Sequence, residues 1–289
     1  MSKIARVFLR KTKLSPTDDL AFFEEPGLIV PEVDEVHVSV LFSWDAKRAE
    51  VIAKEWERVA PVSIGGPGVG TRGEEFIPGV YMEKGCVITS RGCPNNCWFC
   101  SVHKRDGDIR ELSIKDGWII NDDNLLACSE KHIRDVFTML KRQKQKPNFV
   151  GGLEAARLKD WHVDLLVKSK PQQIFFAYDT PDDYEPLVQA AKMMKDAGFT
   201  RNTLRVYMLI GHPKDTFEAA EKRLYSTLEL DMFPMAMLYR NKNGDRPFEW
   251  RKFQREWCRP AAIYHKYKKV KGNDKPRVVR QTLLGNKEI

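Results

Sequence analysis

Residues 86–102 read CVITSRGCPNNCWFCSV, a short apolar segment that runs directly into a loop with three cysteines. Cys93, Cys97 and Cys100 are separated by three and then two residues, so three thiol groups lie on one tight loop. Cysteine thiolates are the ordinary ligands of iron–sulfur clusters. Three of them can hold three irons of a 4Fe-4S cube and leave the fourth iron open. The stretch therefore predicts a buried strand followed by a metal-binding loop.

The apolar segment at residue 86 is the first of six that recur along the chain. They are separated by 26–31 residues and begin near residues 86, 117, 148, 174, 204 and 235. This interval matches a strand plus a returning helix, so six βα units are predicted. Regular alternation of strands and helices favours a parallel sheet with right-handed crossovers, and the predicted fold class is α/β. Asp215 with Glu218 resembles a capping box and is predicted to begin a helix.

Two flanking regions complete the predicted organisation. VHVSVLF at 36–42, an amphipathic helix at 47–60 and PVSIGGPGVG at 61–70 predict a small βαβ unit. At the other end, residues 264–289 hold eight Lys or Arg against two acids, which is six of the net charge of +8. The predicted domains are an α/β extension (1–80), the βα repeat (81–245) and a C-terminal extension with a basic tail (246–289).

Composition sets limits on the class of protein. The 289 residues are 42% hydrophobic and 30% charged, which is typical of a globular protein. No apolar run approaches the roughly 20 residues of a membrane span, and the N-terminus lacks the features of a secretory signal. Six cysteines, three of them in one loop, fit a reducing compartment. We therefore predict a cytoplasmic protein without a membrane segment.

The cysteine loop has other interpretations. A structural zinc site needs a fourth ligand, and His103 follows Cys100 closely. A disulfide with one spare thiol is a further alternative. The basic tail, with Tyr264 and Tyr267 among its lysines, suits nucleic-acid phosphates or another anionic partner, or it is simply a solvated terminus. These features together suit an iron–sulfur or zinc protein that binds nucleic acid, which is one of two functional hypotheses.

The spacing CxxxCxxC after a short apolar strand, with an aromatic residue before the last cysteine, resembles the signature of the radical S-adenosylmethionine (radical SAM) superfamily. The resemblance implies a partial (βα)6 TIM-like barrel and one 4Fe-4S cluster on Cys93, Cys97 and Cys100. It implies that SAM binds the open iron and is split into methionine and a 5′-deoxyadenosyl radical, which abstracts hydrogen from a substrate. It also implies a one-electron reductant such as flavodoxin or ferredoxin as partner.

The same resemblance implies further site residues near the cluster loop and after the third strand. Phe99 is expected beside the adenine of SAM. In FVGGLEAARL (149–158), Gly151 and Gly152 allow close backbone approach to a ligand. Glu154, one residue later than in a strict GGE motif, is expected at the amino group of SAM, and Arg157 at its carboxylate. An i,i+3 surface ion pair between Glu154 and Arg157 is the structural alternative.

The ends of other strands add four more candidates. Asp179, which ends the fourth strand, is expected near the ribose or methionine of SAM, with a helix cap at Thr180 or Asp179 as the alternative. Ile210, in YMLIGHP, is expected beside the adenine. Asp122 and Asp123 follow the second strand and either orient substrate or form a turn.

The N-terminal βαβ unit and the other three cysteines bear on which members of the superfamily the chain resembles. The βαβ unit at the N-terminus resembles a shortened cobalamin-binding domain, but it lacks a DxHxxG segment, and we interpret it as a structural remnant. Cys86, Cys128 and Cys258 are scattered and form no second cluster motif. A single cluster argues against sulfur insertion from an auxiliary site. The substrate is not predicted, although the basic tail favours an anionic molecule or nucleic acid.

Overall fold

The computed structural model describes residues 2–272 and has an α/β fold with parallel sheets, as predicted. The strands are β1 (Ile4–Phe8), β2 (Ala21–Phe23), β3 (Glu35–Ser39), β4 (Val62–Gly65), β5 (Cys86–Val87), β6 (Ser90–Arg91), β7 (Arg110–Glu111), β8 (Ile119–Ile120), β9 (Asn148–Phe149), β10 (Gln173–Ala177), β11 (Leu204–Ile210) and β12 (Phe233–Leu238). The helices are α1 (Ala46–Trp56), α2 (Val102–Arg105), α3 (Glu130–Lys141), α4 (Asp160–Ser169), α5 (Tyr184–Asp196), α6 (Phe217–Glu229), α7 (Phe248–Cys258) and α8 (Pro260–Lys271).

The chain divides into two compact units. The first comprises residues 2–174 together with 241–245, and the second comprises 175–240 and 246–272. The sequence-based boundaries near residues 80 and 246 describe a different partition and stay predictions.

The N-terminal part of the first unit is a parallel sheet with the strand order β2-β1-β3-β4. The predicted βαβ unit is confirmed as β3, α1 and β4. Its core forms because alternate strand residues and one face of α1 are apolar; it contains Ala5, Val7, Val36, Val38, Ala49, Ile52 and Trp56. The sequence analysis did not predict β1 and β2.

The six apolar segments predicted as strands all form strands. In the first unit, β5, β8 and β9 are adjacent and parallel, and β9 pairs with the first two residues of β10. The loop after β5 also forms a short antiparallel pair of β6 with β7. The predicted cysteine loop lies between these two strands.

In the second unit, β11 pairs in parallel with β12, and the backbone N–H of Tyr178 donates to the carbonyl of Tyr207. Helices α5 and α6 bury apolar faces that include Leu187, Met194 and Leu224. Thr216, not Asp215, caps α6, because its hydroxyl accepts a hydrogen bond from the Ala219 N–H at 3.1 Å.

The strand pairing establishes parallel sheets, whereas the finer prediction of a partial (βα)6 barrel stays a prediction. No pairing among residues 2–272 closes a sheet on itself. No helix within the same residues is long and apolar enough to cross a membrane. Of the predicted basic tail, residues 264–271 form the end of α8, and residues 273–289 lie outside the described part of the chain.

Candidate functional site

The cysteine loop is fixed at its base by backbone contacts. The N–H of Cys93 donates to the carbonyl of Gly107 at 3.1 Å, and the N–H of Cys100 donates to the carbonyl of Cys97 at 3.0 Å. All three cysteine side chains are half-buried. Gly92 has a φ of +87°, and a Cβ there would lie 2.2 Å from the Asp108 carbonyl oxygen. Only glycine therefore permits this close approach of the two loop arms.

The loop after β8 anchors the segment that leads to the cysteines. Asp122 is only 2% exposed, and its carboxylate accepts hydrogen bonds from the backbone N–H and the hydroxyl of Thr89, both at 2.5 Å. Asp123 accepts a hydrogen bond from the Gly92 N–H at 2.9 Å. Burial raises the pKa of both carboxyl groups. Asp122 thus fixes the backbone of the segment that leads to the cysteines. This role agrees better with the predicted turn than with the predicted contact with substrate.

Glu154 and Arg157 meet in the loop after β9. The Arg157 Nε lies 2.7 Å from the Glu154 Oε2, so the i,i+3 ion pair expected as the structural alternative is present. Arg157 can still contact a ligand, because 40% of its side chain is exposed to solvent.

Asn124 connects this ion pair to the cysteine loop. Its Nδ2 lies 2.6 Å from the Glu154 Oε2 and 3.4 Å from the Cys93 Sγ. The segments that follow the adjacent parallel strands β5, β8 and β9 therefore meet in one polar network. The sequence analysis missed Asn124, although it stands in the segment NDDN directly after a predicted strand, where such side chains are expected to gather.

The two glycines after β9 differ in what they do. A Cβ on Gly151 would lie 2.1 Å from the Asp122 carbonyl oxygen, so the space that glycine frees is filled by the protein's own backbone. Gly152 has a φ of +92°, a conformation that glycine adopts without strain. The predicted close approach of a ligand to Gly152 stays a prediction.

Phe99 lies within the cysteine loop and is half-buried. Its ring packs edge-to-face against Trp98, with centroids 5.4 Å apart and an interplanar angle of 87°. Trp98 itself is 55% exposed. The loop therefore presents an aromatic pair close to the cysteines in sequence and structure.

Asp179 and Ile210 belong to the second unit, and their predicted contact with SAM stays a prediction. The Asp179 Oδ1 accepts a hydrogen bond from the Leu209 N–H at 2.7 Å, and burial raises the pKa of this carboxyl to about 6. The capping alternative is confirmed for Thr180, which forms a capping box with Asp183. Ile210 is fully buried in β11.

The donor set of the cysteine loop fits an iron–sulfur group in its chemistry. Three thiols lie within eight residues, and an amide N–H points at one sulfur. Burial raises the pKa of the Cys100 thiol. Within residues 2–272, however, no three His, Cys, Asp or Glu side chains are gathered into a metal-binding group. The described residues therefore contain no preformed site for a single metal ion.

His103 bears on the zinc alternative. Its Nδ1 is buried and has no hydrogen-bond partner within the part of the chain that the structure describes. An unpaired ring nitrogen is a possible ligand, but it does not join the cysteines in a group of the kind just described.

Comparison of the chain with protein-family models, curated proteins and solved structures found no match. Support for a function comes from the cysteine spacing and from the contacts within the first unit.

Proposed function

We propose that this protein is a radical SAM enzyme that uses one 4Fe-4S cluster on Cys93, Cys97 and Cys100. One observation supports this function above the others. The CxxxCxxC loop follows the first strand of a parallel βα repeat, and Asn124 joins it to the paired charges of Glu154 and Arg157. The repeat is, in this proposal, the partial (βα)6 barrel of that superfamily. When bound, the cluster supplies one electron to the sulfonium of SAM, which splits into methionine and a 5′-deoxyadenosyl radical.

The first unit supplies the groups that recognise the methionyl end of SAM. A carboxylate and a guanidinium that lie side by side complement an α-ammonium and an α-carboxylate. Glu154 would accept hydrogen bonds from the ammonium group, and Arg157 would pair with the carboxylate. The backbone at Gly152 would pass close to the ligand because no side chain is present there. Phe99 would lie against the adenine.

For Asp179 and Ile210 we propose the roles that the family resemblance implies. Asp179 would face the ribose or the methionine, and Ile210 would flank the adenine. A reductant of the flavodoxin or ferredoxin type would deliver the electron, and the protein would act on an anionic or nucleic-acid substrate. The fold hosts many reactions, so the class of substrate rests on the basic tail alone.

Anaerobic reconstitution with iron and sulfide, followed by incubation with SAM and dithionite, tests the proposal. Chromatography should detect 5′-deoxyadenosine from the wild-type protein and none from Cys97→Ala, because one thiolate ligand is lost. Cys258→Ser is the matched control, since this cysteine lies outside the loop and donates to the Ala236 carbonyl. Cleavage that persists in Cys97→Ala would overturn the assignment. Salt-sensitive nucleic-acid binding without any affinity for SAM would favour the binding-protein hypothesis.

A further inference from the structure

Asn124 is the side chain that links the cysteine loop to the charged pair, and the sequence motif assigns it no role. It is 4% exposed and lies in the loop between β8 and α3. We propose that Asn124 is a positioning residue for Cys93. The side-chain amide N–H of Asn124 holds the Cys93 thiolate and favours the reduced state of the bound cluster. The inference rests on the proposed function, because it concerns the same cluster.

The orientation of the Asn124 amide follows from its neighbours. Its Nδ2 is within hydrogen-bond distance of two acceptors, the Cys93 Sγ at 3.4 Å and the Glu154 Oε2 at 2.6 Å. The opposite orientation would place the amide oxygen against a carboxylate and a thiolate, and like partial charges would repel. The NH₂ group therefore faces both residues, with one N–H available for each.

This orientation leaves the other end of the amide unsatisfied. The Asn124 Oδ1 is buried and has no hydrogen-bond partner within residues 2–272. A buried acceptor without a partner is unfavourable and rare in native proteins, so such a group at a proposed site calls for an explanation. The two hydrogen bonds of the NH₂ group explain why the oxygen is left unpaired. Their acceptors are charged or polarisable, and hydrogen bonds to ionised groups are stronger than those between neutral groups.

A hydrogen bond to a cysteine ligand changes the redox balance of a cluster. Reduction adds negative charge to the cluster and its sulfurs, and an N–H donor stabilises that charge. The contact with Glu154 has a second effect, since it ties the carboxylate to an amide proton next to the sulfur. Loss of both donors would leave the negative charge of Glu154 unscreened close to Cys93. Both effects predict a more negative reduction potential when Asn124 is replaced.

An EPR-monitored redox titration of the reconstituted full chain tests the inference without reference to turnover. Asn124→Leu has nearly the same size but no donor. We expect its midpoint potential to be more negative than that of the wild type. At a fixed potential, the ratio of reduced to oxidised cluster should fall about tenfold, because one hydrogen bond to a charged group contributes a free energy of this size. Asn121→Leu is the matched control, because Asn121 lies in the same loop and its side chain contacts the Met82 sulfur, not a cysteine. The control should titrate like the wild type.

The outcomes separate this inference from the function on which it rests. A wild-type midpoint in Asn124→Leu, with normal iron content, would overturn the role of Asn124 and leave the enzyme assignment intact. A wild-type chain that assembles no cluster would overturn both. Asn124→Ala removes the same N–H groups without adding an apolar branch, and it should shift the potential in the same direction. If both variants lose the cluster while their circular dichroism is unchanged, Asn124 is needed to hold the ligand loop, which supports the positioning role.

Discussion

At the scale of single residues, Asp179 is a buried carboxyl whose ionisation opposes folding. Burial raises its pKa to about 6, above the ordinary value near 4. The protonated form is therefore favoured in the folded chain, so this group's stabilising contribution is complete at low pH and is lost as the pH rises through about 6. Asp179→Asn removes the ionisation and keeps an oxygen that accepts from the Leu209 N–H. We expect the variant to gain about 2 kcal/mol over the wild type between pH 4 and pH 7.

Urea unfolding at a series of pH values measures this difference. Asp182→Asn is the control, because it makes the same substitution at a neighbouring acid that is exposed. A difference for Asp179→Asn that is constant from pH 4 to pH 7 would show that the carboxyl is solvated in solution.

Gly151 tests the packing beneath the proposed site. Alanine at this position would place its Cβ 2.1 Å from the Asp122 carbonyl oxygen, so the backbones of two loops must separate. We expect Gly151→Ala to lower the free energy of unfolding by about 1–3 kcal/mol, as overpacked substitutions do. At Gly65 the nearest atom to an added Cβ is a side-chain oxygen at 3.7 Å, and Gly65→Ala should be much milder. Equal effects of the two substitutions in thermal melts would contradict the observed loop packing.

At the scale of secondary-structure elements, the carboxylate of Asp231 helps to hold the end of α8 within the second unit. Asp231 accepts a hydrogen bond from the Tyr267 hydroxyl at 2.7 Å and lies 3.1 Å from the Lys271 Nζ and 2.8 Å from the Lys195 Nζ. Burial alone would raise the pKa of Asp231, but these partners outweigh it and lower the pKa to about 2. The stabilising contribution is therefore present above pH 4 and is lost as the pH falls towards 2.

Asp231→Asn should release the end of α8. Asparagine tolerates the left-handed backbone at this position, where φ is +60°, so the change tests the charge rather than the turn. We expect a loss of about 1–2 kcal/mol at pH 7 and faster amide hydrogen exchange in the last turns of α8. Asp196→Asn, a change at an exposed acid on α5, is the control. Exchange rates that match the wild type would refute the anchoring role of Asp231.

The sequence predicted the strands of the repeat better than the first two strands, for a physical reason. The repeat strands are continuous apolar runs, as buried parallel strands usually are. In β1, Arg6 interrupts the run, yet it is buried because its guanidinium pairs with Asp18 and donates to the carbonyls of Gly79 and Val80. These partners are distant in sequence, so composition alone makes Arg6 look like a surface residue.

The same limit applies to the site. The cysteines were predicted from their spacing, and Glu154 and Arg157 from the resemblance of a short motif to the radical SAM family. Asn124 makes hydrogen bonds to residues 31 and 30 positions away in the sequence. No local sequence pattern predicts which distant side chains it contacts. The sequence predicted Asp215 as the cap of α6, whereas its neighbour Thr216 caps the helix and the Asp215 carboxylate pairs with Arg223 at 3.1 Å.

At the scale of the whole molecule, cluster loading should stabilise the chain. A group that binds only the folded state raises the melting temperature by mass action. We expect anaerobic loading with iron and sulfide to raise the melting temperature of the wild type and of Cys258→Ser, and removal by a chelator to reverse the change. A chain with Cys93, Cys97 and Cys100 all replaced by alanine should melt at the same temperature with or without iron and sulfide. A rise in that variant would place the metal elsewhere.

Residues 241–245 belong to the first unit, although the chain on either side of them belongs to the second. A Cβ on Gly244 would lie 2.8 Å from the Trp44 side chain, which shows how closely this segment packs within the first unit. The polypeptide therefore passes between the units three times. One protease cut or one stop codon cannot yield either unit complete, and a gene fragment that ends at residue 174 would encode a first unit without its last piece. Separate expression of the first unit would require residues 241–245 to be rejoined to it through a new linker.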